Sequence, residues 1–183
     1  MALDLSLIMF LQAIWFILPA YAANGLPVLF GGGPPIDFGK TLNEKRIFGD
    51  GKTIRGFIGG VISGTLVGLT LFYVGPILNQ SIPESQGLIE LSYNPIVALL
   101  ISVGALIGDL VGSFIKRRLN LKRGAPAPVL DQITFLVFAF LFALLIIRPI
   151  PLEYVIFLIP LTLGLHLFTN FISWLIGIKK VPY

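Results

Sequence analysis

The stretch "PIVALLISVGALIGDLVGSFIKRRLNLKR", residues 95–123, decides the fold class of this protein. Residues 95–115 are almost entirely apolar, and a bilayer core about 30 Å thick needs roughly 20 such residues in a helix. Five cations then follow within eight residues, from Lys116 to Arg123. An apolar run of this length that ends in a basic cluster is typical of a helix that leaves a membrane on its basic side.

The composition of the whole chain agrees with this interpretation. Of its 183 residues, 56% are hydrophobic and only 12% are charged, with a mean hydropathy of +0.92. Soluble domains carry roughly twice that share of charge, about 25%. The chain has no cysteine, which excludes disulfides and thiolate metal sites. We therefore predict an all-α integral membrane protein that forms a single polytopic domain over residues 1–183.

Five stretches are long and apolar enough to span a membrane. They lie at about 3–23, 56–78, 95–115, 129–147 and 154–177. The first resembles a cleaved signal in its position, but it lacks a basic leader and carries Asp4 instead, so we interpret it as a span.

The distribution of basic residues predicts the orientation. Five spans place the two termini on opposite sides, and of the thirteen lysines and arginines only Arg148 falls outside one common face. Basic residues collect on the cytoplasmic side, so we expect the N-terminus outside and the C-terminus in the cytoplasm. The two cytoplasmic loops, about 24–55 and 116–128, are then expected to form a polar active-site cavity in the cell membrane.

Asp109 is the most informative residue because it lies inside the third span. An ionised carboxylate there costs about 2.5 to 3.5 kcal/mol on insertion scales, which marks a candidate functional site. Ser113 and Lys116 share its helix face. A proline-rich turn then brings Asp131 back into the membrane, and two carboxylates at this depth suit Mg²⁺ accompanied by substrate phosphates.

Simpler explanations exist for these charges. The basic run 116–123 can serve orientation and attraction to anionic lipids, and Asp109 can pair with a lysine to hold helices together. Orientation alone leaves Asp109 and Asp131 unexplained.

The first inner loop, "GLPVLFGGGPPIDFGKTLNEKRIFGDGKTIRG" (25–56), is long for a structural connection. Its glycines at 31–33 allow close approach to a ligand, or form a flexible linker. Lys52, Thr53 and Arg55 stand where the second span begins, and free N–H groups at a helix start favour an anion. The loop is not a soluble-type phosphate loop, because Arg46 occupies the position of the first required glycine.

Two motifs carry a family resemblance. "KTIRGFIGG" (52–60) resembles the helix start of the phosphatidate cytidylyltransferase superfamily, and "GDLVGSFIKRRLNLK" (108–122) is similar to its signature GDxxxSxxKRxxxxK. Together with the glycine-rich loop and "PAPVLDQ" (126–132), they most resemble the archaeal branch, the CDP-archaeol synthase family.

The resemblance implies transfer of a cytidylyl group from CTP to 2,3-di-O-geranylgeranylglyceryl phosphate, with Mg²⁺ and release of pyrophosphate. Five residues match the signature, namely Asp109, Ser113, Lys116, Arg117 and Lys122, and Asp131 matches its terminal aspartate. The chain departs from the superfamily at Arg123, where an aspartate is expected, at Gln132, where an arginine is expected, and in lacking an HGG segment. These departures leave Asp109 and Asp131 as the expected metal pair.

The site predicted from these observations has three parts. The expected catalytic residues are Asp109, Lys116 and Asp131, of which the two aspartates hold the metal. The expected nucleotide and phosphate ligands are Asn24, Asp50, Lys52, Thr53, Arg55, Ser113, Arg117, Arg118, Lys122 and Arg123. The expected partners are CTP, an isoprenoid-ether lipid phosphate and the membrane, without nucleic acid, and homo-oligomerisation stays open.

Two further features read as structural. His166 shares a helix face with Thr162, Asn170 and Ser173, which indicates an interhelical hydrogen-bond stripe rather than catalysis. The glycines of the second span, among them Gly60 and Gly64, indicate a close-packing surface.

Alternative functions remain open at this point. One is a CDP-diacylglycerol synthase acting on phosphatidate. Another, of a different class, is a small ion or nucleotide transporter. A transporter should show polar residues at the membrane midplane, whereas here they concentrate at one surface.

Overall fold

A computed structural model describes residues 5–80, 94–121 and 127–177 and is helical apart from one small hairpin. In chain order its elements are α1 (Leu5–Gly25), α2 (Pro27–Phe30), β1 (Thr41–Leu42), β2 (Lys45–Arg46), α3 (Ile54–Gln80), α4 (Pro95–Arg118), α5 (Pro128–Ala143) and α6 (Leu152–Leu175). The predicted all-α membrane class is confirmed.

Four segments are long and apolar enough to cross a membrane: Leu5–Phe30, Ile54–Leu78, Pro95–Arg118 and Leu152–Thr169. The fourth predicted span corresponds to the shorter apolar helix α5, and its predicted range of 129–147 is too long, because the helix ends at Ala143. Proline rings at 149 and 151 would clash with the carbonyls four residues earlier if the helix continued. The chain instead tightens into a turn in which the N–H groups of Leu145 and Ile146 bond to Phe142 and Ala143.

Small residues let α3 pack closely against α1 and α4. A Cβ atom added at Gly60 would lie 2.6 Å from the Ala23 carbonyl oxygen, and one at Gly64 would lie 2.6 Å from that of Pro19 and would also overlap Ser102 of α4. The packing surface predicted from these two glycines is confirmed.

The α4–α5 contact relies on glycine in the same way. Cβ atoms added at Gly104 and Gly108 would lie within 2.5 Å of α5 carbonyl oxygens. Gly112 faces the side chains of Thr134 and Asp131, and its Cβ would lie 3.7 Å from Asp131 Oδ1. The close fit places the first turn of α5 beside the last turns of α4, which brings the two predicted carboxylates to one end of the bundle.

Residues 31–53, here called the cap, cover that end of the bundle. Within the cap, β1 and β2 form an antiparallel hairpin with Thr41 opposite Arg46 and Leu42 opposite Lys45. The turn residues Asn43 and Glu44 have positive φ angles of 48° and 63°, as a two-residue type I′ turn requires. Sequence analysis predicted a glycine-rich loop here without a hairpin.

Arg118, in the last turn of α4, fastens the cap to the bundle. Its Nη1 donates to the Leu42 carbonyl at 2.6 Å, and its Nη2 donates to the carbonyls of Lys45 and Arg46 at 3.0 and 2.7 Å. The Lys45 ammonium in turn donates to the Arg118 carbonyl at 3.2 Å. The guanidinium also lies 5.1 Å from the centroid of the Phe114 ring, a favourable cation–π distance.

Asp37 organises the interior of the cap. Its side chain is fully buried. It accepts hydrogen bonds from the N–H groups of Gly39, Phe48 and Gly49. It also forms an ion pair with Arg46, in which Nη2 lies 2.6 Å from Oδ1. Burial opposes the carboxylate charge, but these donors outweigh burial and hold the pKa of Asp37 well below its usual range.

Candidate active site

A cavity of about 640 Å³ lies between the cap and the helix ends beneath it. Every helix from α1 to α6 contributes to its wall. Its charged lining residues are Asp50, Lys52, Asp109, Lys116 and Asp131. These five residues come from three separate elements, the cap, α4 and α5, so the fold assembles the site from distant parts of the chain.

Asp109 and Lys52 form an ion pair across the cavity, with Nζ 2.5 Å from Oδ2. Lys52 lies near the end of the cap, two residues before α3, and its carbonyl accepts a hydrogen bond from the Ile36 N–H at 2.8 Å. The bridge between Pro35 and Thr53 extends this pairing. The cap backbone therefore sets where the Lys52 ammonium can reach.

Thr53 has a structural contact at the same helix start. Its side chain is buried, and Oγ1 accepts a hydrogen bond from the Gly56 N–H at 3.1 Å. A hydroxyl that accepts from an early helical N–H is an N-terminal cap. Thr53 also lines the cavity, as predicted, together with Asn24 and Asp50.

Asp131 and Lys116 form the second ion pair, between the first turn of α5 and the last turn of α4. The Lys116 Nζ lies 2.6 Å from Oδ1 and 2.9 Å from Oδ2 of Asp131. Both predicted carboxylates thus face one cavity, and each contacts a lysine. The pairing that we considered as a structural role for Asp109 is present, and it lies inside the polar cavity rather than between packed helix faces.

The donor set fits a hard divalent cation that shares its coordination with a substrate. Among the described residues, no group of three or more histidine, cysteine, aspartate or glutamate side chains could enclose a metal by itself. Mg²⁺ is usually bound by one or two carboxylates with water and substrate phosphates completing its shell. Asp109 and Asp131 offer two carboxylates in the wall of one cavity, each held by a cation where a metal could take its place.

A smaller cavity of about 400 Å³ adjoins the first. Both cavities share Asp50, Gly51, Lys52 and Lys116 in their walls. Three further polar side chains, Arg46, Ser113 and Arg117, line the smaller cavity. Although Ser113 and Lys116 share the helix face of Asp109 by spacing, Ser113 lines only the smaller of the two.

Two predicted phosphate ligands, Arg55 and Arg118, line neither cavity, and two more are not among the described residues. Arg55 is exposed and lines neither cavity, and its side chain passes beside Gly33, where an added Cβ would lie 3.0 Å from the Arg55 Cδ. Both Nη atoms of Arg118 donate hydrogen bonds to cap carbonyls. Lys122 and Arg123 fall outside the described residues.

Sequence reasoning missed three participants. Arg46 lines the smaller cavity and joins buried Asp37 to Asp50, which it contacts at 2.5 Å. His166 and Gln132 line the larger cavity and share a hydrogen bond of 2.8 Å. For Gln132 the sequence did carry a signal, since a glutamine stands after Asp131 where the family resemblance predicts an arginine.

The predicted α6 stripe is confirmed where the structure describes it. Besides the His166 contact to α5, Thr162 bonds to the Tyr21 hydroxyl of α1 at 2.7 Å. The side chains of Asn170 and Ser173 fall outside the description.

The fold and cavity together define a class of protein. Ion-paired carboxylates and lysines are enclosed by membrane-spanning helices beneath a polar cap, which suits an intramembrane enzyme that acts on phosphate esters.

Comparison with known proteins narrows this class. The family model described as "CarS-like: CDP-archaeol synthase" matches residues 5–183. CDP-archaeol synthases from Pyrococcus abyssi and Pyrococcus horikoshii are 49% and 47% identical, each over 94% of this chain and over 97% and 96% of their own lengths. The chain belongs to the CDP-archaeol synthase family, and the resemblance inferred from its motifs is confirmed.

A solved structure supports the fold as well. It is described as "Structural insight into an intramembrane enzyme for archaeal membrane lipids biosynthesis" and is similar with a TM-score of 0.72 at 37% identity, covering 88% of this chain and 94% of the other.

Proposed function

We propose that this protein transfers the cytidylyl group of CTP to 2,3-di-O-geranylgeranylglyceryl phosphate, forms CDP-archaeol and releases pyrophosphate, with Mg²⁺ as cofactor. The observation that carries the proposal is the pairing of Asp109 with Lys52 and of Asp131 with Lys116 in one cavity. These groups provide anionic ligands for a metal and cationic ligands for phosphates. The family of the chain supports the choice of substrates.

Asp109 and Asp131 would hold the metal, because their carboxylates are the hard oxygen ligands in the wall of the larger cavity. When bound there, Mg²⁺ supplies charge neutralisation at the triphosphate. With the two carboxylates holding a metal, Lys52 and Lys116 would be released from their ion pairs and would donate to phosphate oxygens. The same two lysines thus neutralise aspartates in the free protein and substrate in the complex.

The acceptor needs no protein base to become a nucleophile. A phosphate monoester has a second pKa of about 6, so at neutral pH its terminal oxygens are largely ionised. An oxygen of the lipid phosphate attacks the α-phosphorus of CTP, and the bond from that phosphorus to the β-phosphate breaks. Catalysis consists of positioning and charge stabilisation, as in other phosphoryl transfers.

The lipid chains of the acceptor stay in the bilayer while its phosphate enters the cavity. Helix α6 forms one wall through His166, and the flanking residues Leu165 and Leu167 are exposed to the surroundings. A lipid headgroup that moves in along α6 reaches the polar side chains of His166 and Gln132 at the cavity wall. We place the cavity on the cytoplasmic side, where CTP is available.

The proposal is tested with purified protein, Mg²⁺, radiolabelled CTP and the lipid phosphate, followed by organic extraction. Label from the α-phosphate should enter the lipid phase, and label from the γ-phosphate should stay in water. Omission of Mg²⁺ or addition of a chelator should stop incorporation. Absence of α-label from the lipid phase under all conditions would overturn the proposal. Label retained only inside sealed vesicles would indicate a nucleotide transporter, and preference for phosphatidate would indicate a CDP-diacylglycerol synthase.

A further inference from the structure

Gln132 and His166 line the larger cavity but have no part in the reaction described above. Gln132 lies in α5 directly after Asp131, and His166 lies in the second half of α6. Their side chains join the two helices through a hydrogen bond of 2.8 Å between the Gln132 Nε2 and the His166 Nδ1. Polar side chains inside membrane-spanning segments are costly and mark candidate substrate sites. This pair therefore calls for a ligand as well as a packing role.

The pair lies on a different flank of the cavity from the cations. Lys52 enters from the cap just before α3, and Lys116 enters from α4. Helix α6 packs against α1 and α5, whereas α3 packs against α1 and α4. Helices α1 and α5 thus separate α6 from the helices beside the two lysines. Among the described residues, α5 and α6 contribute Asp131, Gln132 and His166 to the cavity wall, so this flank carries no cation.

The geometry of the transfer assigns the two flanks to different substrates. Attack at the α-phosphorus of CTP requires the attacking and leaving oxygens to lie roughly in line. The lysines attract the phosphates that leave, so the acceptor must approach from the side of α5 and α6. On α6 the neighbours of His166, Leu165 and Leu167, are 43% and 51% exposed. The same flank therefore borders the region in which the lipid chains stay.

We propose that Gln132 binds the phosphate of the lipid acceptor and that His166 positions Gln132 for this task. The inference rests on the proposed function and adds the acceptor site to it. The Gln132 amide nitrogen carries two N–H donors, one of which reaches His166. This hydrogen bond fixes the plane of the amide at the cavity wall, and with it the direction of the second N–H. That second N–H donates to an oxygen of the lipid phosphate.

A neutral donor suits the attacking group. Hydrogen bonds from neutral donors are weaker than those from a lysine ammonium, so the attacking oxygen keeps more of its negative charge. This oxygen forms a bond to the α-phosphorus of CTP, and the bond to the bridging oxygen breaks with its electron pair left on pyrophosphate. No proton moves, because the phosphate monoester is already largely ionised at neutral pH.

The test compares the affinity of the full-length protein in detergent for two lipids. One is 2,3-di-O-geranylgeranylglyceryl phosphate, and the other is the same diether as the free alcohol, which lacks the phosphate. Gln132→Leu removes the donor at similar side-chain size. Losing a hydrogen bond to a charged group should weaken binding of the lipid phosphate at least about tenfold. Affinity for the alcohol and for CTP should change by less than about twofold.

Three further variants separate phosphate binding from the joining of α5 to α6. Gln132→Glu keeps an acceptor for His166 but adds a negative charge, so it should weaken binding of the lipid phosphate more than Gln132→Leu does. His166→Leu should weaken this binding by a smaller factor, because it acts through Gln132. His166→Asn, whose Oδ1 can accept from the Gln132 amide, should restore part of the affinity.

Thr162→Val is the matched control. It removes a hydrogen bond between α6 and Tyr21 of α1, and Thr162 lines neither cavity. This variant should bind both lipids with wild-type affinity. In turnover assays the KM for the lipid phosphate should rise in Gln132→Leu and stay unchanged in Thr162→Val, while the KM for CTP stays unchanged in both.

Equal affinity for the lipid phosphate in wild type, Gln132→Leu and Gln132→Glu would overturn the inference, even if the wild type makes CDP-lipid from CTP. Parallel loss of the lipid phosphate and the alcohol in Gln132→Leu would also overturn it, because the phosphate would then not be the group recognised. If the variants lose the lipid phosphate selectively while the wild type transfers no label from CTP, the acceptor site stands and the proposed reaction fails.

Discussion

At the residue scale, the carboxylate of Asp109 lies in a membrane-spanning helix, where its charge is costly without a function. Replacing Asp109 by Asn keeps the shape of the side chain and removes its charge. We expect kcat/KM for CTP to fall at least about a hundredfold, because losing one preorganised charged group at a reacting phosphate commonly has an effect of this size. Incorporation of labelled CTP at several Mg²⁺ concentrations measures the loss.

Glu153→Gln is the matched control, since Glu153 lies in the first turn of α6, about 20 Å along the helix from His166. It should retain wild-type turnover. Full activity in Asp109→Asn would remove Asp109 from the site.

The Asp37 carboxylate should make the protection of the cap amides depend on pH. Because the pKa of Asp37 in the folded protein lies below its usual value near 4, its contribution to stability is complete above that value and is lost as the pH falls through the lower, folded pKa. Hydrogen exchange at the Phe48 and Gly49 amides, which bond to Asp37, should therefore stay protected from pH 7 down to about 4.

Asp37→Asn should expose the same amides already at pH 7, because the neutral amide holds Arg46 less strongly. Protection of Phe48 and Gly49 in Asp37→Asn equal to wild type would contradict this role.

Sequence reasoning found some site residues and missed others for a physical reason. Asp109 and Asp131 stand out because charge inside an apolar span is anomalous. Arg46 and Asp37 lie in a glycine-rich loop, where polar side chains are expected to face water. Their partners depend on how the loop folds back, which no spacing rule specifies.

At the element scale, glycine decides how near α3 lies to its neighbours. Gly64→Ala would place a methyl group against Ser102 and the Pro19 carbonyl. We expect destabilisation of about 1 to 3 kcal/mol, the usual result of overpacking. Thermal unfolding in detergent measures this destabilisation, and the midpoint of Gly64→Ala should be lower than that of the wild type.

Gly164→Ala in α6 is the control, because a Cβ there would meet nothing within 4 Å. Alanine is also the better helix former, so the unfolding midpoint of this variant should equal or exceed that of the wild type. Equal midpoints for Gly64→Ala and Gly164→Ala would show that the α3 contact tolerates the methyl group.

The position of the cap depends on Arg118, a role that no pattern in the sequence indicated. Arg118→Gln removes donors to three carbonyls, so we expect faster exchange at the Ile47 amide, which bonds across the hairpin to Lys40. The KM for CTP should rise more than kcat falls, because Lys52 is positioned by the cap. Arg118→Lys should restore part of the protection of the Ile47 amide and part of the lower KM for CTP. Exchange at Ile47 in Arg118→Gln equal to wild type would contradict the anchoring role.

Hydropathy predicted the first, second, third and fifth spans to within three residues at each end. It failed at the end of α5, since residues 144–147 are as apolar as the helix before them. The stop is imposed by backbone geometry near the two prolines, which a hydropathy sum does not register.

At the scale of the whole molecule, the helices alternate in direction. Gly60 faces Ala23 and Leu106, and Gly68 faces Ala98, so α3 runs antiparallel to both α1 and α4. The cap and the N-terminal end of α6 therefore lie at opposite ends of the bundle. Which end faces the cytoplasm is predicted by the basic residues alone.

Single cysteines test this orientation cleanly, because the natural chain has none. Asn43→Cys in the hairpin turn and Glu153→Cys at the start of α6 both place an exposed thiol. A membrane-impermeant maleimide added to intact cells should label position 153 only, and lysis should add position 43. Labelling of position 43 in intact cells would reverse the predicted topology.

Helix α5 is too short for a bilayer of ordinary thickness. Its sixteen residues rise about 24 Å, against a hydrocarbon core of about 30 Å. A span shorter than the hydrocarbon core is accommodated by thinning of the bilayer, by snorkelling of flanking residues or by oligomerisation. Since Asp131 and Gln132 lie in the first turns of this helix and line the larger cavity, thinning of the bilayer would draw the aqueous interface inward beside that cavity. An amphiphile in the thinned bilayer would then present its polar end to the cavity without being lifted out of the membrane.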